Sequence, residues 1–156
     1  GDIGGMYRAI LPLLLIASAC FSEDRYNRKD FNYHSYKLNT ATGFYTNQTW
    51  DFINIDHIVR LKDAYQSGAI SWRDAKKASF ANDKCNHVTS CGRVKGSIGS
   101  SKPKDFLRRS NEGKDLEYKA IRLCEYVHKY FEVKVKCGLS FEGNDKNIFS
   151  GCSSSF

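Results

Sequence analysis

The run Trp50-Asp51-Phe52-Ile53-Asn54-Ile55-Asp56 alternates apolar and polar residues, as a strand does when one face meets a core and the other water. The period then changes. Ile58, Val59, Leu61, Ala64 and Tyr65 have a helical spacing over 58–66, and Ser67-Gly68 stops it. Ser71-Trp72-Arg73-Asp74 has the form of a capping box, with Asp standing for Glu, and predicts a second helix to about Phe80. Asn82-Asp83 predicts a turn, and Asn86 to Ser90 a short strand. Gly92, Gly96, Gly99 and the serines around them predict a loop. Pro103 opens a short helix, Lys104 to Arg109, since proline suits the first helical position. The longest helical pattern is Asp115 to Phe131, with Leu116, Ile121, Leu123, Cys124, Val127 and Phe131 near one face. Val133 to Leu139 alternates weakly and predicts a last strand or an extended crossing. Residues 20–50 have no clean period; Tyr26, Phe31, Tyr33, Tyr36, Phe44 and Tyr45 predict an irregular wrap over the core. The fold class is mixed α+β.

The first residues change the cellular picture. Arg8 precedes the apolar run Ile10-Leu11-Pro12-Leu13-Leu14-Leu15-Ile16, and Ala17-Ser18-Ala19 follows as an A-x-A cleavage site. That is the form of a signal peptide, over residues 1–19, and the run is shorter than the ~20 residues a membrane span needs. A secreted or periplasmic protein without membrane insertion is expected, with residues 20–156 as one domain. Cleavage after Ala19 would expose Cys20, but Ala17 sits where a lipobox usually has Leu. Cys20, Cys85, Cys91, Cys124, Cys137 and Cys152 then point to disulfides, and no C-x-x-C pair favours zinc. Pairing is not legible; a bridge from Cys85 or Cys91 to Cys124 would tie the loop region to the long helix. Asn47-Gln48-Thr49 is a glycosylation sequon.

Charge narrows the partners. Lys and Arg outnumber Asp and Glu by 24 to 17, and the stretch Arg93–Lys136 alone carries +6 of the +7. One positive face would gather polyanions. Phosphodiester hydrolysis needs a base to activate water and positive charge at the scissile phosphate. Asp56-His57, at the end of a predicted strand, offers a carboxylate for a divalent cation and an imidazole base. Neighbouring strand residues face opposite ways, so the strand must end or twist between them if both serve one site.

Asp56-His57-Ile58-Val59-Arg60-Leu61-Lys62-Asp63-Ala64, Ser67-Gly68-Ala69, Trp72, Phe80-Ala81-Asn82-Asp83 and Asn86-His87-Val88 resemble the core of a family of secreted HNH endonucleases. These are related to the C-terminal nuclease domain of the GmrSD restriction enzymes. Ser101, Pro103 and Asp105-Phe106-Leu107-Arg108-Arg109 resemble the segment that follows, so the similarity covers roughly Gly43 to Lys136. The resemblance implies a ββα-metal core, Mg²⁺ or another divalent cation, and cleavage of DNA with little sequence preference. It implies His57 as general base, Asp56 as metal ligand, Asn86 as a residue holding the base or its loop, and Asn82 as structural. His87 is read as a neighbour of the site. Lys102, Lys104, Arg108 and Arg109 would contact phosphates. At the unperturbed imidazole pKa of ~6.5, activity would fall on acidification through that range.

One departure stands out. The family carries Asn-x-x-Lys at the start of its motif helix, the Asn being the second metal ligand. Counting from Asn86, Lys95 and Ile98 occupy these positions. An ammonium repels Mg²⁺. Three readings stay open: a shifted register that brings another oxygen, from Ser97 or Ser100; a metal-independent site in which Lys95 supplies the charge; or an inactive scaffold that binds nucleic acid without cleaving it. DNA and RNA are not distinguished. No protein partner is predicted.

Overall fold

The computed structural model describes residues 25–39, 41–45, 47, 49–50, 53–90, 102–105, 123–144, 149 and 152. The predicted signal segment, Cys20, Lys95, Arg108 and Arg109 lie outside the described residues. In chain order the elements are β1 (Lys37–Leu38), β2 (Ala41–Thr42), β3 (Thr49–Trp50), β4 (Ile53–His57), α1 (Leu61–Gln66), α2 (Asp74–Asn82), β5 (His87–Ser90) and α3 (Leu123–Cys137). The fold is α+β. Antiparallel pairs make one sheet of order β1-β4-β5 and a separate ribbon of β2 with β3. The β4–β5 ladder runs Asn54↔Ser90, Ile55↔Thr89, Asp56↔Val88 and His57↔His87 without a break. Among the described residues no helix is long and apolar enough to cross a membrane.

The alternating strand is present, but its end is buried on both faces. Ile53, Ile55, Asp56 and His57 are all buried, because different groups close over each face. The predicted helix over 58–66 begins late. Ile58 donates its N–H to the Asn86 carbonyl (2.9 Å), and Arg60 is extended (φ −65°, ψ 154°), so only Leu61–Gln66 is helical. Asn86 holds this connection from the far strand: its Oδ1 accepts from Val59 N–H and its Nδ2 donates to the Val59 carbonyl, both at 2.8 Å. A side-chain amide replaces one rung of a sheet ladder. Asn86→Ala would strand the N–H and C=O of Val59, itself 0% exposed. The expected loss is about 2–4 kcal/mol, checked by the shift of the urea unfolding midpoint.

The capping box does not form. The Ser71 hydroxyl donates to the Gly68 carbonyl (3.0 Å) and closes a 3-10 turn over Ala69–Ser71, so α2 starts after Arg73 without a side-chain cap. Residues 115–122 of the predicted long helix include 121 and 122, outside the described residues, as are 115–120. From Leu123 the helix continues past Phe131 to Cys137, and the predicted strand over Val133–Leu139 is absent. The stripe Tyr126, Val127, Tyr130, Phe131, Lys134 has helical spacing and is buried, whereas Val135 is 72% exposed. Gly138 then ends α3 in the left-handed region (φ 65°), with Gly138 N–H to the Val135 carbonyl and Leu139 N–H to the Lys134 carbonyl. This is a Schellman stop, where glycine carries no Cβ penalty.

The cysteine pairing also differs from expectation. Cys124 bonds Cys152, not Cys85 or Cys91. Cys124 lies in the first turn of α3, and the C-terminal segment returns across it, with Phe149 against Phe131 (6.1 Å between rings). Cys85 lies toward the opposite end of the helix, beside Lys136. Within the core, Lys134 is 0% exposed. Its ammonium donates to Asp63 Oδ1 and Ser67 Oγ, each at 2.7 Å, while Tyr130 donates to Asp63 Oδ2 at 2.6 Å. Burial pushes the Lys134 pKa down, opposed by Asp63.

Candidate active site

His57 ends β4, and His87 begins β5 directly opposite. Being a register pair, they share one face of the sheet, with rings 4.9 Å apart and edge-on. Both point Nε2 at a single acceptor, the Ala81 carbonyl in the last turn of α2, at 2.8 Å each. A carbonyl oxygen can only accept, so each neutral ring carries its proton on Nε2. The lone pair of each is then on Nδ1. In His87 that atom faces the Tyr36 hydroxyl (2.9 Å). In His57, no hydrogen bond to Nδ1 is found among the described residues, and Tyr33 packs edge-on against the ring at 4.6 Å. The Tyr33 hydroxyl is buried and has no hydrogen-bond partner among the described residues.

The aromatic wrap that places these rings is tied down through Asn82. Its Oδ1 accepts from His34 N–H (2.9 Å) and its Nδ2 donates to the Asn32 and Ala78 carbonyls. Tyr33 and Tyr36 also line an open cleft of about 540 Å³ that holds Arg28 and Lys37. The Arg28 guanidinium lies 5.7 Å from the Tyr33 ring centroid.

Burial lowers the His57 pKa to about 4, against the pull of the Ala81 carbonyl and with a further push from His87. The expected activity change near 6.5 is therefore displaced to about pH 4. Stability carries the same signature. Between 6.5 and 4 the unfolded chain binds a proton at this residue and the folded chain does not. The stability that His57 contributes is complete above about 6.5 and is lost as pH falls through 4, by about 3 kcal/mol. Denaturant titrations at stepped pH measure this; His57→Gln should flatten that part of the curve, and an unchanged slope would refute it.

Asp56 faces the other way, as adjacent residues of an unbroken strand must. Its Oδ1 accepts from His57 N–H (3.0 Å), and its Oδ2 from the Tyr45 hydroxyl (3.1 Å) and Arg60 Nη2 (3.3 Å). The strand neither ends nor twists between Asp56 and His57, so the two side chains do not converge. Asp56 does not fit a divalent cation here: both oxygens are engaged, one of them by a guanidinium. Among the described residues no group of three or more His, Cys, Asp or Glu could hold a metal.

Of the remaining expected residues, Asn86 holds Val59 and does not touch the imidazole. Lys102 sits near Gln66 Oε1 (3.5 Å) and Asp63 (3.9 Å), lining a 220 Å³ cavity with Arg60 and Lys62. Lys104 is exposed, its N–H bonded to Asn144 Oδ1 (2.8 Å). No known protein family matches the chain, and no solved structure does. Over 45 residues it is 44% identical to an "Uncharacterized secreted protein" of Arthroderma benhamiae. The match covers 27% of this chain and 22% of that protein.

His87 lies beside His57, as expected of a neighbour of the site; Tyr33, Tyr36, Arg28 and Lys37 are the nearby groups that sequence reasoning did not assign to it. The cations of the wrap were hidden by the stronger charge excess further along the chain.

Proposed function

We propose that the chain is a secreted endonuclease that hydrolyses phosphodiester bonds in DNA, or in RNA, with His57 as general base. The observation supporting this most is the tie from His57 Nε2 to the Ala81 carbonyl. It fixes the tautomer and orientation of a ring that stays neutral at physiological pH, with its lone pair on Nδ1. A carbonyl does for this ring what a carboxylate does in other bases: it decides which nitrogen is free to take a proton. His57 Nδ1 then accepts a proton from water as the water attacks phosphorus in line with the leaving oxygen. Arg28 and Lys37 in the adjoining cleft meet the charge of the phosphates. Contacts of that kind carry no base sequence, so cleavage is nonspecific. The pairing of Asp56 with Arg60 favours positive charge from side chains over a cation at that carboxylate. Lys95, Arg108 and Arg109 remain further candidates for phosphate contact by resemblance. Secretion is supported by the leader-like residues 1–19, by the disulfide, and by the name of the partial relative.

A second reading has one observation in its favour. His57 is only 4% exposed, which suits a nucleic-acid-binding protein on an inactive scaffold. Supercoiled plasmid incubated with the wild type and with His57→Ala separates the two. Nicking by the wild type alone is expected, and persistence of nicking in EDTA marks the cation-free form. Equal nicking by both proteins, or by neither, would remove the enzymatic reading.

A further inference from the structure

Two thiols remain among the described residues: Cys85, which is exposed, and Cys137, which is half-buried. They are 52 positions apart in sequence, yet the fold brings their segments together. Cys85 lies in the 3-10 turn Lys84–Asn86, where Asp83 Oδ1 accepts its N–H at 2.9 Å. Cys137 is the last residue of α3. Lys136, its neighbour, reaches across to Asp83 Oδ2 (3.3 Å) and lies beside Cys85 in the same cleft. Cys85, Val133 and Lys136 line one shallow cleft. Burial chiefly pushes the Cys137 thiol pKa up, and Cys85 adds to that push.

We infer that Cys85 and Cys137 are a second disulfide site, joining the turn before β5 to the end of α3. Both thiols lose hydrogen as the S–S bond forms. The two electrons and two protons pass to a disulfide oxidant of the secretory route, which becomes two thiols. The bond would brace a segment with two tasks: Ala81 orients both imidazoles, and Asn86 pins Val59. Helix α3 would then be tied near both ends, by Cys124–Cys152 at the start and Cys85–Cys137 at the finish. The site holds whether or not His57 acts on nucleic acid.

The full chain, expressed through an oxidising secretory route, is alkylated without reduction, digested and mapped by mass spectrometry. A peptide pair joined through Cys85 and Cys137 is expected beside the Cys124–Cys152 pair. Alkylation of both residues, or linkage of Cys85 to Cys20 or Cys91, would overturn the assignment. Cys85→Ser and Cys137→Ser should each lower Tm by the same amount, on the order of 5–10 °C. The double variant should lose no more than either single one, because both remove one bond. Additive losses, or no loss in the single variants, would equally overturn it.

Discussion

His57→Ala is expected to slow phosphodiester cleavage by about 10²–10⁴-fold, the range for loss of a positioned general base. The substitution is a clean probe because of what it leaves behind. Ala81 keeps one donor, His87 Nε2 at 2.8 Å, so no buried carbonyl is orphaned. Asn86 still pins Val59, and the β4–β5 register persists through backbone bonds. Folding, followed by Tm and far-UV circular dichroism, should therefore survive while the rate falls. The wild-type rate should also stay level from neutral pH down to about 5, since His57 loses its lone pair only near pH 4. A variant that folds and cleaves at the wild-type rate would eliminate His57 as the base.

The largest effect on stability is expected from Asp63→Ala. The change leaves the Lys134 ammonium 0% exposed, with Ser67 Oγ as its remaining partner at 2.7 Å. It also deprives the Tyr130 hydroxyl of its acceptor. Breaking a buried pair from one side typically costs about 3–5 kcal/mol. In a chain of this size that lowers Tm by roughly 6–20 °C. Asp63→Leu combined with Lys134→Met removes both charges and should be more stable than either single variant, because no ion is left without its partner. Urea unfolding of the three variants measures the coupling. A single Asp63→Ala within 1 kcal/mol of wild type would mean that water reaches Lys134 and the pair is not sealed.

Much of the fold was legible where a period ran long enough. The alternation ending at Asp56 marked β4, and the repeat through Val127 and Phe131 marked α3. The misreadings share a cause: short segments whose partners lie far along the chain. Val133–Leu139 alternates weakly, and only its packing against Asp63 and Ser67 shows Lys134 to be an inward helical position. Ile58 and Val59 have helical spacing but form a bend in which Asn86, 27 residues from Val59, takes the Val59 N–H and C=O. Ser71 had the sequence of a cap, and a nearer carbonyl at Gly68 took its hydroxyl. At the site, Asp56 and His57 were legible as chemistry-bearing residues. Their divergence across the sheet depended on whether the strand continued through both, which the ladder to His87 decides. The Cys124–Cys152 bond was not legible because pairing depends on chain return, not spacing.

The atom that orients both imidazoles belongs to the main chain, and its residue is already alanine. Side-chain scanning therefore passes over the contact on which the candidate site turns. Its constancy is inherited with the shape of the last turn of α2, not with any functional group, and the Ala81 side chain enters only through crowding, since it is 0% exposed. Substitutions that alter the exit of that helix, at Asn82 or Asp83, can reorient two histidines they never touch.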